Sequence, residues 1–300
     1  MIKNNLLMLN VGFASHNADW NYSDINSPFT RIYYVTEGTA SVTLDSTTYL
    51  LTPGNMYIIP AFTLHSDSCS GLFSHYYLHI YENVSSSDSI IDKYKFPFEI
   101  ECLPIDQILF ESLCRNNSFM ALRAYDPRIY DNKNALIDCV RLNRNRPEWD
   151  RLESVGIICQ LLSRFIRQAH PKYQTNDVRI GRAVEIINTH NNELIRVADL
   201  AKEVRMSQDH FIRLFKKELG CTPTQFIIDK KMMQAKLMLA SESLMTKEIA
   251  YSLGYDNLSY FSRLFRKHTG TTPTLYRESF NLKSSMGEQH TQNGDTRCQP

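Results

Sequence analysis

The residues best suited to do chemistry in this sequence come in duplicate. His210–Phe226 reads HFIRLFKKELGCTPTQF and Tyr260–Tyr276 reads YFSRLFRKHTGTTPTLY; at a fixed offset of 50, nine of 17 positions are identical. Such a repeat means one structural unit used twice. Phe211, Leu214 and Phe215, and their counterparts Phe261, Leu264 and Phe265, recur at i, i+3 and i+4, one face of a helix. With that face buried, the outward residues of the first helix are Gln208, Asp209, Ile212, Arg213, Lys216 and Lys217, with Ser207 as N-cap. In the second they are Ser259, Ser262, Arg263, Arg266 and Lys267, with Asn257 at the N-terminus. Arginine can bond guanine bidentately, serine, asparagine and lysine suit bases or phosphates, and helix N-termini favour phosphate. The same residue types on the same exposed face, twice, point to double-stranded DNA as the partner.

The elements needed to position these residues are legible around them. Val197–Val204 makes a short helix with Leu200, Ala201 and Val204 inward, Arg205-Met206 is a turn, and the second helix follows. The second copy runs Thr246–Leu253, Gly254-Tyr255-Asp256, then Asn257–His268. Helix, tight turn, helix is the arrangement that places a second helix in a major groove. Gly220 ends the first such helix and Thr222-Pro223 opens the next, as N-cap and first helical residue. The joining segment Thr224–Ala240, roughly 25 Å long as a helix, is expected to turn Phe226, Met233, Leu237 and Ala240 inward and Lys230, Lys231 and Lys236 outward. A stiff helix of that length holds two readers about one DNA turn apart, near 34 Å.

Charge divides along the chain in the same sense. The overall balance is +1, but residues 1–100 carry 4 Lys/Arg against 9 Asp/Glu and residues 178–280 carry 16 against 11. A polyanion would therefore meet the back of the molecule. With 43% hydrophobic and 22% charged residues the composition is that of a globular protein. No apolar run reaches the ~18–20 residues of a membrane span, and Met1–Asn10 is too weak for a secretory signal. The expected partners exclude membrane and the expected location is the cytoplasm. The 7 cysteines are scattered, without a C-x-x-C pair, so reduced thiols rather than disulfides or zinc are expected.

The front of the chain reads as strands: Thr30–Thr36, Ala40–Leu44, Thr48–Leu51, Met56–Ile59 and His75–Tyr81, punctuated by Glu37-Gly38, Asp45-Ser46, Pro53-Gly54 and Pro60. That is the pattern of an all-β sandwich or barrel, which is either filled by its own side chains or holds one ligand. Ile105–Leu113, Asn132–Leu142 and Asp150–Ala169 read as helices. In the last, Leu152, Val155, Ile158, Leu162, Phe165 and Ile166 form an apolar stripe that either packs on its own barrel or pairs with a second copy. Pro171–Asp177 is a polar linker and Ser284–Pro300 a polar tail expected to be disordered. The division is thus 1–100 barrel, 101–177 helical connector and dimerisation region, 178–280 double helix-turn-helix domain, and 281–300 tail.

At this point a resemblance is specific. Residues 178–280 resemble the DNA-binding domain of the AraC/XylS family of bacterial transcription regulators, above all in IAYSLGYDNLSYFSRLFRKHTGTTPTLYR, Ile249–Arg277. The first unit, LAKEVRMSQDHFIRLFKKELGCTPTQFI, is similar but has Arg205 where the family usually has a small residue. The front is similar to the family's cupin-like sensory barrel in its strand pattern and in Gly38, Pro53-Gly54, Pro60 and His65. The fold implied is α+β multidomain: an N-terminal cupin-like β-barrel, a helical connector and a C-terminal all-α domain with two helix-turn-helix units.

The resemblance also implies a small polar effector, a sugar or related metabolite, inside the barrel, a homodimer made by the connector, and activation through contact with RNA polymerase. It places Thr36, Asp67, His75 and Tyr77 near pocket-lining positions, and strand alternation adds Tyr34 beside Thr36 and His79 beside His75 and Tyr77. Barrel filler remains the alternative for these residues. No metal and no cofactor is expected: His65 is followed by Ser66-Asp67 rather than a second histidine, and no P-loop, GxSxG or HExxH motif occurs. The rival class is a cupin-type enzyme carrying a helical DNA-targeting domain. A third reading is a regulator whose front only dimerises.

Overall fold

The computed structural model describes residues 6–82, 89–190, 193–241 and 244–280; the tail 281–300, with Cys298, lies outside the described residues. The chain divides into two compact units, one built from Leu6–Glu82 and Phe96–His170, the other chiefly from Pro171–Ser279.

The first unit holds two antiparallel sheets. Its strands are β1 (Leu6–Asn17), β2 (Tyr22–Ile25), β3 (Thr30–Gly38), β4 (Ala40–Leu44), β5 (Thr47–Leu51), β6 (Asn55–Ile59), β7 (His65–Ser68) and β8 (Leu72–Glu82). After the short α1 (Ile90–Lys93) and β9 (Tyr94–Lys95), which belong to the second unit, β10 (Glu99–Glu101) returns to the first. One sheet runs β1-β8-β3-β6-β10 and the other β2-β7-β4-β5. The expected sheet-rich front is therefore what the chain folds into. Sequence punctuation located β3, β4, β5, β6 and β8, but β1, β2, β7 and β10 had no expectation. In β1, residues of both faces are buried over Leu6–Gly12, and where burial alternates, from Gly12 to Asn17, the buried residues are Gly12, Ala14 and His16, which give no apolar signal; β7 reads HSDS and lacks apolar residues.

Alternation fixes which residues point inward. Along β3, Tyr33 and Val35 join Trp20, Leu51, Tyr57, Phe73 and Tyr77 in one buried cluster between the sheets. Their neighbours point the other way: Tyr34 stacks on Phe110 of α2 (Pro104–Asn116), with ring centroids 5.8 Å apart. Gly12 is required on β1, because a Cβ there would lie 2.3 Å from the Tyr77 hydroxyl. The outer face is covered by α2, α4 (Lys133–Asn145) and α5 (Glu148–Ile166), with the 3₁₀ turn Ser118–Met120 and the short α3 (Pro127–Tyr130) between them. A buried knot ties these helices: Arg146 of the α4–α5 junction donates to Asn117, Ser154 and Asp150, the last at 2.9 Å. Of the α5 stripe, Ile158, Leu162 and Phe165 are buried in this unit, whereas Leu152 is 63% exposed and its neighbour Trp149 70%. β11 (His170–Pro171) marks the boundary between the units.

The second unit is helical: α6 (Val178–Thr189), α7 (Val197–Glu203), α8 (Gln208–Leu219), α9 (Pro223–Ser241), α10 (Thr246–Ser252) and α11 (Leu258–Thr269), with 273–279 helical beyond. It has two apolar cores of like composition. One gathers Ile180, Leu200, Phe211, Phe215 and Phe226, the other Met232, Leu239, Ile249, Phe261 and Phe265. Gly220 and Gly270 close α8 and α11 in the left-handed conformation, and Thr222 Oγ1 accepts from Gln225 N–H as α9 begins. The expectation for α9 fails in part. Lys230 and Lys231 are buried rather than outward, and Lys236 is half-buried. A helix contacted on both sides has no free outer face, so lysine at such positions must find carbonyl or aromatic partners.

Candidate nucleic-acid interface and effector chamber

In the helical unit the two copies repeat the same exposure residue for residue. Phe211 and Phe215 are fully buried, as are Phe261 and Phe265. Ser207, Gln208, Asp209, Arg213, Lys216 and Lys217 are exposed with Ile212 half-buried; Asn257, Ser259, Arg263, Arg266 and Lys267 are exposed with Ser262 half-buried. The outward cations are therefore presented by helices anchored through two phenylalanines each. Two N-terminal details differ from expectation. Ser207 holds the N-cap position of α8 but its hydroxyl makes no cap bond. Asn257 uses its side-chain oxygen to accept from Tyr260 N–H at 2.9 Å, so this oxygen is engaged in the helix terminus rather than free for a base.

The same offset of 50 relates His210 and Tyr260, both exposed and both overlooked in reading the sequence. Tyr260 carries the Arg263 guanidinium 5.4 Å above its ring, which orients that arginine. The turns between the helices also differ: Arg205 takes φ +55° where the second copy has Gly254 at φ +75°.

In the first unit the space between the sheets is polar at one end. Arg31, 1% exposed, is the residue around which it is organised, and sequence reading missed it. The signal was present: Arg31 shares alternation with Tyr33 and Val35, next to the apolar run Ile32–Val35. Its Nη1 donates to the Tyr130 hydroxyl at 2.6 Å and to His79 Nε2 at 3.3 Å. Its Nη2 donates to Ser27 Oγ and lies 3.8 Å from Asp131 Oδ2. Because the guanidinium can only donate, His79 Nε2 is the acceptor and the proton resides on Nδ1. Burial, with Arg31 nearby, holds His79 neutral, its pKa well below the usual value.

Among the other expected lining residues, β8 brings His75, Tyr77 and His79 to the interior, and β7 adds Asp67 together with His65. His75 is packed against Phe73, Tyr33 and Trp20 at 4.6, 5.1 and 5.5 Å, and burial pushes its pKa down to about 3. His65 Nδ1 donates to Thr63 O at 2.8 Å, and burial lowers its pKa to about 4. Burial raises the Asp67 carboxyl to about 7 against the pull of Arg31. Two expected residues fall elsewhere. Tyr34 points outward, its hydroxyl on Gln107 of α2, since it alternates with Tyr33. Thr36 sits at a bulge in the β3–β8 register, its Oγ1 donating to Ser74 O at 3.0 Å, so strand alternation does not carry through to it.

Several buried atoms in this interior have no hydrogen-bond partner among the described residues: Arg31 Nε, His65 Nε2, Asp67 Oδ1, His75 Nδ1, His79 Nδ1 and His16 Nε2. His65 Nε2 and Asp67 Oδ1 face each other across 4.0 Å, beyond a hydrogen bond. Beside β2 and α3 lies a cleft of about 220 Å³, lined by Tyr22, Asp24, Asp126, Arg128 and Asp131, so Asp131 borders both the cleft and the Arg31 cluster. No group of three or more His, Cys, Asp or Glu able to hold a metal ion occurs among the described residues. Nor is any described helix long and apolar enough to cross a membrane.

Comparison with known proteins fits both regions. Residues 10–179 match the model of an AraC-like ligand binding domain, and residues 200–279 that of a helix-turn-helix domain. The lactose operon transcription activator of Staphylococcus xylosus is 31% identical over 105 residues, 35% of this chain but only 38% of that protein's length. An uncharacterised HTH-type transcriptional regulator of Escherichia coli K12 is 22% identical over 261 residues, 87% of this chain and 81% of that one. Among solved structures, the C-terminal domain of the response regulator AraT from Geobacillus stearothermophilus is 30% identical, covering 34% of this chain and 86% of that one, with a TM-score of 0.34.

Proposed function

The chain belongs to the AraC family of transcriptional regulators, and from that premise we propose that it binds a specific operator through both recognition helices and answers to a small polar effector held between its sheets. One observation supports the DNA half above all: α8 and α11 bury the same phenylalanines and expose arginine and lysine at the same offset. Arg213 and Arg263 are the proposed base readers, with Ser207, Gln208, Asp209, Ile212, Asn257, Ser259 and Ser262 near the bases, and Lys216, Lys217, Arg266 and Lys267 on phosphates.

The effector half rests on the unpaired atoms of the interior. A buried polar group without a partner costs on the order of 1–3 kcal/mol, and here several converge. Donors from Arg31 and His79 and acceptors from His65 and Asp67 suit a hydroxyl-rich ligand, a sugar or a related metabolite; a group donating two hydrogens would span the 4.0 Å gap between His65 Nε2 and Asp67 Oδ1. Ligand binding then acts by favouring one DNA-competent state. A homodimer through the exposed Trp149 and Leu152 side of α5, activation by contact with RNA polymerase, and a cytoplasmic location complete the proposal.

The test is fluorescence anisotropy on the gene's own upstream DNA beside a scrambled duplex, at about 150 mM salt. A preference of at least a thousandfold, within the usual specific range, is the expected result. No binding to any DNA at low salt would overturn the reading.

A further inference from the structure

One buried cation in the helical unit is fully engaged, and its partners belong to different reading units. Lys231, in the middle of α9 and 3% exposed, donates from Nζ to Glu193 O at 2.7 Å and to Leu253 O at 2.6 Å. Glu193 precedes α7 of the first helix-turn-helix, whereas Leu253 is the C-cap residue of α10 in the second. The ammonium also lies 5.2 Å above the ring of Tyr255, in the second turn. The same two backbones touch directly: a Cβ on Gly254 would lie 3.1 Å from Glu193 C and from Leu194 N. A glycine is needed there both for φ +75° and for this close approach.

Burying an ammonium is costly, and burial lowers the Lys231 pKa to about 8. An apolar side chain of similar length would fill the space without that cost. What the amine alone supplies is directional bonds to one carbonyl of each unit, one of them at a helix C-terminus, where a cation is favoured. A buried polar group used this way fixes register rather than adding stability.

We infer that Lys231 is a positioning residue that sets the separation and rotation of the two recognition helices, and so the spacing between DNA half-sites that the protein accepts. The inference rests on the two-groove reading above. Two linked binding modules gain most when the linker holds them at the spacing of their sites, and a looser linker exchanges peak affinity for tolerance. One inserted base pair turns the second half-site by roughly 35° about the DNA axis, which a locked pair cannot follow.

The experiment uses the full chain and a duplex selected from a random library by the wild-type protein. Affinity is measured for that duplex, for versions with one base pair inserted or removed between half-sites, and for each half-site alone. The wild type is expected to lose about a hundredfold on insertion, the cost of one or two mismatched base pairs. Lys231→Met should lose about tenfold at the native spacing, discriminate less than about tenfold between spacings, and bind each isolated half-site as the wild type does. Gly254→Ala perturbs the same contact from the other side and should flatten the spacing profile likewise, which covers the case in which Lys231→Met does not fold. A folded variant that keeps the wild-type spacing profile, or that weakens both half-sites equally, overturns the inference alone. A wild type indifferent to spacing overturns the two-groove reading, and the role of Lys231 with it.

Discussion

The interior between the sheets and the interior of the helical unit are built on opposite principles. Between the sheets, Arg31, His65, Asp67, His75 and His79 are all buried, and each has a polar atom without a partner among the described residues. In the helical unit the two cores are made of apolar side chains, phenylalanine above all, the buried polar residues Lys230, Lys231 and Gln234 are confined to α9, and Lys231 meets two carbonyls. A surface that reads a polyanion can leave its charges in water and needs only a stiff apolar anchor beneath them. A chamber that selects a small polar molecule must keep its polar groups dry, and so holds unmet hydrogen-bonding capacity at a cost in stability. Outside α9, the chain thus keeps its buried polarity in the sheet unit and turns the polarity of the helical unit outward.

The largest effect that would break this contrast is at Arg31. Replacing it by methionine removes the cation that faces Asp131 and Tyr130 and leaves the Asp131 carboxylate buried opposite an apolar chain. Losing one member of such a pair costs about 3–5 kcal/mol. Calorimetry should show the transition of the sheet unit falling while that of the helical unit stays. Equal loss in both would mean the two interiors do not behave as separate cores.

Next in size is the difference between reading and holding DNA. Arg263→Ala should cost about 1–3 kcal/mol at one base pair and relax specificity there, whereas Lys217→Ala should weaken all DNA modestly and lower the salt slope by about 1. The stacking of Arg263 on Tyr260 adds a check: Tyr260→Ala should lower specificity at the same base pair, since the guanidinium loses its support. Equal loss on operator and scrambled DNA for Arg263→Ala would remove its base-reading role.

How far this contrast could be read from the sequence depends on which side of it a residue lies. The helical half was legible because apolar periodicity, glycine stops and an offset of 50 all agree, and the exposed residues follow once the buried ones are known. The polar interior was legible only in part. Asp67, His75 and Tyr77 came from the resemblance and His79 from alternation along the same strand as His75, whereas β7, which carries His65 and Asp67, has no apolar signal of its own. Tyr34 was assigned to the wrong face because alternation says which residues go together and not which side is inside. Lys231 was hidden for a similar reason: lysine is outward by default, and only the approach of Glu193 and Leu253 gives it buried acceptors.

Titration should separate the two interiors further. The folded-state pKa values of His65 and His75, about 4 and about 3, lie below the ordinary 6.5, so the stability these residues contribute is present above 6.5 and lost as pH falls toward those values. Asp67 has the opposite sign: its pKa is raised from 3.8 to about 7, so its contribution is present below 3.8 and lost as pH rises through 7. From about pH 4 to 6.5 the gain from the two histidines therefore outweighs the loss from the one carboxyl, and above 7 none of the three titrates further. Asp67→Asn removes the loss between 3.8 and 7, so that the rise from acid pH steepens and stability at pH 8 is unchanged or raised, while effector affinity falls at least about tenfold, the worth of one hydrogen bond to a charged group. In the helical unit Lys231 and Lys236, lowered by burial from 10.5 to about 8, act in another window, and stability gained from them rises between those values. Thermal melts of wild type and Asp67→Asn from pH 4 to 10 check both curves.

The smallest effect distinguishes the two copies of the repeat from each other. Their turns have the same hand, φ +55° at Arg205 and φ +75° at Gly254, but only the second has the residue type suited to it. An L-residue in the left-handed region costs about 1–2 kcal/mol, and glycine returns about 0.5–1 kcal/mol of that as lost freedom on folding. Arg205 is exposed, so its removal sacrifices no buried contact. Arg205→Gly should therefore stabilise the helical unit by about 0.5–1 kcal/mol and leave operator specificity at α8 unchanged. A loss of stability would mean that Arg205 contributes in the folded state through its side chain, and that the first turn is not the more strained of the two.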